Sequence, residues 1–142
     1  MKKNTNTLTV SIEVTDEMLD DVMVTALEGG INYWAEKQTL KNNDYKGADY
    51  ASHAISRGAE MRVHLREDCL FEESRQVKSD PHNEAYRNKK AYRKIYKLNK
   101  ELLLQGCQKY VDRGKKFDTS YMDADDADLI LQYSLFGDVI FG

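Results

Sequence analysis

The chain has 142 residues, 41% apolar and 32% charged, which is the balance of one soluble domain able to bury a single core. No apolar run approaches the ~20 residues of a membrane span. The opening Met1 to Asn6 lacks the apolar segment of a signal peptide, so the expectation is a cytoplasmic protein with a flexible tail over residues 1–6. Cys69 and Cys107 stand in no Cys-x-x-Cys spacing and read as ordinary thiols.

Leu8, Val10, Ile12 and Val14 alternate with Thr9, Ser11 and Glu13, the period of a half-buried strand. Thr15 is placed to cap a helix whose first turn carries Asp16 and Glu17, where the helix dipole favours anions. Met18, Leu19, Val22, Met23, Ala26 and Leu27 give that helix one apolar face. Gly29 and Gly30 end it, and a helix stopping here calls for a left-handed glycine at one of them. Ile31 to Lys37 reads as resumed helix, with Trp34 in the core. Residues 38–47 read as loop, and Ala48, Ala51, Ala54 and Ile55 as a short helix stopped at Gly58.

Met61, Val63 and Leu65 alternate with Arg62, His64 and Arg66, which predicts a second strand. A long excursion over 67–90 follows; its length is uncommon inside a domain and points to a functional or mobile segment. Residues 84–114 allow two versions. One is a single long helix; the other is a strand over Tyr92 to Leu98 beside 59–66, then a helix capped by Asn99. Asn99 as cap, with Leu102, Leu103, Cys107, Tyr110 and Val111 as a buried face, favours the second. Asp123 is placed to cap a last helix that is apolar around much of its girth, and Gly137 to close it. Leu129, Ile130 and Tyr133 are expected in the core with Met18, Val22 and Leu27, and Val139, Ile140 and Phe141 need cover. The fold class is α+β: one domain over 1–142, a small antiparallel sheet packed against helices.

The stretches Thr25 to Trp34 (TALEGGINYW) and Asp123 to Gly142 (DADDADLILQYSLFGDVIFG) resemble small proteins of bacteriophages and prophages of Gram-positive bacteria. The likeness extends to Ile55-Ser56-Arg57-Gly58 and fades across 67–97. It implies an accessory protein of a phage or mobile element, in a setting where inhibitors of host defence nucleases, including anti-CRISPR proteins, are common. It supplies no catalytic residue.

Between Ala85 and Lys100 there is no acid, while Arg87, Lys89, Lys90, Arg93, Lys94, Lys97 and Lys100 interleave with Tyr86, Tyr92 and Tyr96. Cations suit a phosphate backbone and tyrosines suit base stacking, so this run is the leading candidate binding segment. Its plain alternative is a solvated face. Asp16, Glu17, Asp20 and Asp21, with Asp123, Asp125 and Asp126, form a possible acidic surface able to imitate nucleic-acid phosphates. Helix starts account for the same acids without a partner. The Asp123, Asp125 and Asp128 spacing lacks the glycine and distal glutamate of a calcium loop, and the three histidines pair with no ligand motif, so no metal or cofactor is expected. No catalytic motif is legible, which favours a binding protein over an enzyme.

Three functions therefore compete: an inhibitor of a host nuclease or nucleoprotein complex, a direct nucleic-acid binder using 86–100, and a small-ligand protein or enzyme with a pocket near Tyr33 and Trp34. None involves a membrane, and the oligomeric state is open.

Overall fold

In the computed structural model, residues 5–8, 11–70 and 94–142 are described. Among the described residues, three helices and a three-stranded antiparallel sheet make up the α+β fold: α1 (Asp16–Thr25), β1 (Ala35–Leu40), β2 (Met61–Leu65), β3 (Ile95–Leu98), α2 (Lys100–Asp112) and α3 (Ala124–Phe136). Sheet order is β1-β2-β3, so β2 is central.

Thr15 Oγ1 accepts the Met18 amide and caps α1, which buries Leu19, Val22 and Met23. The helix then widens into one π-helical turn over Ala26–Gly30, with the Ile31 amide donating to Ala26 O at 3.1 Å. The helix stops where the two glycines stand, but neither has positive φ. The reason for Gly30 is proximity instead. A Cβ there would lie 2.8 Å from the Ala124 carbonyl oxygen at the start of α3, whereas one on Gly29 would meet nothing within 4 Å.

Residues 31–34 form a turn, and the chain enters β1 at Ala35 rather than resuming as helix. Three of the ten residues of the expected 38–47 loop are thereby corrected, since 38–40 belong to the strand. The short helix expected before Gly58 is a 3-10 turn over Ala51–His53 followed by further turns, closed by Gly58 at φ 102°. The strand expected over 8–14 is absent from the described residues 11–14, and Leu8 and Ile12 are exposed. Alternation alone makes no strand without a neighbour to share its backbone hydrogen bonds. Of the described apolar residues in this stretch, Val14 packs against the core.

The strand-plus-helix version of 84–114 is the one the fold adopts where it is described: β3 pairs with β2, and Asn99 Oδ1 accepts the Leu102 amide at 2.9 Å to cap α2. The parts of that reading, and of the 67–90 excursion, that fall on 71–93 lie outside the described residues. Asp123 and Asp126 cap α3 reciprocally, and Gly137 closes it at φ 77°.

Ile130, Tyr133 and Val22 are core, but Leu129, Met18 and Leu27 are half-buried at its rim. Trp34 and Phe136 anchor the centre, with ring centroids 5.4 Å apart, and Phe141 stacks on Trp34 at 5.5 Å. The terminal apolar run is thus laid over the tryptophan.

Candidate anion-binding face of the sheet

The strands alternate, so the sheet has two unlike faces. Met61, Val63, Leu65, Tyr96 and Leu98 point into the core, and Tyr96 meets Phe136 edge-on at 4.8 Å. The opposite face carries the exposed side chains of the strands. The pairing lines up its side chains in two cross-strand rows: Lys37, His64 and Ile95 in one, Thr39, Arg62 and Lys97 in the other. All are exposed except His64, which is half-buried.

Three of these six side chains are cations and none is a carboxylate. Arg62 and Lys97 stand directly opposite each other, and like charges in facing positions destabilise a sheet. Lys94, just before β3, adds a further cation, paired with Glu67 at 3.1 Å in solvent. His64 registers this field. Burial, then Lys37, hold its imidazole below the usual value; Lys94 and Arg62 act the same way, and Glu36 opposes them. Its Nε2 lies 3.4 Å from Thr39 Oγ1.

The basic run meets this face only in part. Lys97 lies on it and Lys94 at its edge, while Lys100 turns away to an ion pair with Asp16 at 2.8 Å. Tyr96 corrects the expectation of a stacking aromatic, because alternation turns it into the core at 7% exposure. Arg87, Lys89, Lys90 and Arg93, with Tyr86 and Tyr92, lie outside the described residues. The fold brings in Lys37, Thr39, Arg62 and His64, which the basic run did not include. The Arg62/His64 alternation is legible in the sequence, but Lys37 is not, because the pattern of residues 31–47 is that of a helix and a loop.

The acids have structural partners in most cases. Asp16 pairs with Lys100, Asp20 accepts the Ser56 hydroxyl at 2.7 Å, and Asp123 and Asp126 cap α3. Asp126 also accepts the Tyr110 hydroxyl at 3.0 Å. Glu17, Asp21 and Asp125 are exposed beside them.

Asp128 belongs to a separate polar knot in the interior. It accepts Trp34 Nε1 at 2.7 Å, the Tyr33 hydroxyl at 2.5 Å and Gln132 Nε2 at 3.0 Å. Gln132 Oε1 in turn accepts the amides of Ile140 and Phe141, each at 2.8 Å. This knot ties the final residues to α3. Burial, and next the bond to Asp128, hold the Tyr33 phenol well above its usual value, so it stays a donor.

A cleft of about 480 Å³ runs between residues 11–14 and α2, lined by Ile12, Val14, Leu104, Cys107, Val111 and Phe117 among others. Burial pushes the Cys107 thiol up to about 12, so the cleft presents no thiolate near neutral pH. Among the described residues no three His, Cys, Asp or Glu side chains are grouped to hold a metal, and no helix is long and apolar enough to cross a membrane. Compared with known proteins, the chain matches no family model, no curated protein and no solved structure.

Proposed function

We propose that this chain is a binding protein that takes a phosphate-bearing partner on the exposed face of its sheet, a nucleic-acid strand either free or held in a nucleoprotein complex. The observation that carries this reading is the facing Arg62–Lys97 pair, with Lys37 one row away and no carboxylate in either row. A sheet that keeps like charges opposed gives up stability, and local rules are broken in this way mostly at functional sites. Phosphates set across the rows would relieve the repulsion and use every cation at once. The likeness to phage and prophage proteins supplies a setting, in which the partner is a host defence nuclease complex and the effect is inhibition. Support for the acidic surface as a nucleic-acid mimic is weaker, since most of those carboxylates hold the fold together.

Fluorescence anisotropy with a labelled 20-nucleotide oligothymidylate tests the reading. Three cations on three phosphates of a single strand give a slope of log affinity against log salt of about −2. Replacing Arg62 and Lys97 together with Glu should flatten the slope to roughly −0.7 and weaken binding at least ~10-fold at low salt. The fold should survive, because both side chains are exposed. Equal affinity and slope in wild type and double variant would remove this face from the function.

A further inference from the structure

We propose that His64 is a proton-linked member of this face, so that seating a phosphate between Lys37 and Arg62 delivers a proton from solvent to its imidazole. The inference rests on the reading of the face given above and concerns how that face is regulated.

The geometry places His64 beside four charged side chains, Lys37, Arg62, Lys94 and Glu36. Lys37 is its cross-strand partner on β1, and Ile95 its partner on β3. Arg62 lies two residues along the same strand, roughly 7 Å away on the same side. Glu36 approaches from β1 and Lys94 from the start of β3. Thr39 Oγ1 is 3.4 Å from Nε2.

In the fold the ring is half-buried, and the charges of Lys37, Lys94 and Arg62 outweigh that of Glu36. Both effects disfavour the imidazolium. A bound phosphate reverses the balance, because its charge offsets the lysines and arginine and favours a positive ring. A protonated histidine donates from both ring nitrogens. Thr39 Oγ1 can then accept from Nε2, leaving Nδ1 for a phosphate oxygen. Ile95 beside it supplies the apolar surface on which a sugar or base edge can rest.

Linkage fixes the sign: a proton taken up on binding makes affinity rise as pH falls. The limit is tenfold per pH unit for one proton. Between pH 6 and pH 8 ordinary carboxylates stay ionised, so a histidine is the group whose titration dominates this window.

The test is anisotropy of a fluorescein-labelled 20-nucleotide oligothymidylate across pH 6 to 8 at fixed ionic strength. The wild type should bind at least about threefold more tightly at pH 6 than at pH 8. His64→Gln should lose this dependence, while His53→Gln should keep it. Wild-type binding that ignores pH, or a His64→Gln protein that keeps the wild-type slope, overturns the proton linkage and leaves the anion-binding face standing. No binding at any pH overturns the face itself, and this inference with it.

Discussion

Asp128→Ala should lower the melting temperature by roughly 10 °C, the loss expected from about 3 kcal/mol in a chain of this size. The Trp34 indole, which is wholly buried, would lose its acceptor at 2.7 Å. A buried donor left unpaired costs ~1–3 kcal/mol. Tyr33 and Gln132 would lose bonds at the same time, and Gln132 is what holds the amides of Ile140 and Phe141. Phe141 should then lift from Trp34, and because that tryptophan is the only one in the chain, its emission reports the release directly. Asp128→Asn is the informative companion. Its amide oxygen can still accept from Trp34 and Gln132, and the Tyr33 hydroxyl can turn to accept from its nitrogen. It should cost only about 1 kcal/mol. If Asp128→Ala melts with the wild type, the knot does not hold the C-terminal run.

Gly106→Val should destabilise by about 3 kcal/mol or more, read as a lower denaturant midpoint at unchanged slope. Helices α2 and α3 touch at this glycine. A Cβ would fall 1.9 Å from Ser134 Oγ and 2.6 Å from the Ile130 carbonyl oxygen. Ser134 could rotate, but it would break its 2.7 Å bond to that carbonyl, and the carbonyl itself cannot move without α3. Even Gly106→Ala should lose stability, although alanine is favoured in a helix by about 1 kcal/mol. Gly29→Ala is the contrasting case. It sits exposed with open space around its missing Cβ and with φ negative, so it should be neutral or stabilising by roughly 0.5 kcal/mol. The reverse order of these two alanine variants would mean that the α2–α3 approach is looser than described.

Much of this fold was legible where a local pattern and a local stop signal coincide. Met61, Val63 and Leu65 alternate into β2, Asn99 caps α2, and Asp123 and Gly137 bracket α3, each through bonds made within a few residues. The failures occur where the cause is distant in sequence. Leu8 to Val14 has the period of a strand, but residues 11–14 pair with no neighbouring strand. Gly30 looks like a left-handed stop, yet its reason is Ala124, almost a hundred residues on. Tyr96 reads as one of three surface tyrosines until pairing with β2 turns it inward. Of the candidate face, Lys97 and the Arg62/His64 alternation were visible, because basic runs and period two are both local. That Arg62 faces Lys97 and that Lys37 joins them is a matter of register across three strands, and composition carries no register.

The sheet face as a binding surface is tested most directly by titrating an isotope-labelled sample with the 20-nucleotide oligothymidylate and following backbone and side-chain NMR shifts. The largest perturbations should map to Lys37, Thr39, Arg62, His64, Ile95 and Lys97, with Glu17, Asp21 and Asp125 unmoved. Shifts confined to the acidic helix starts or to the cleft lined by Ile12 and Leu104, with the six face residues silent, would contradict a binding role for this face.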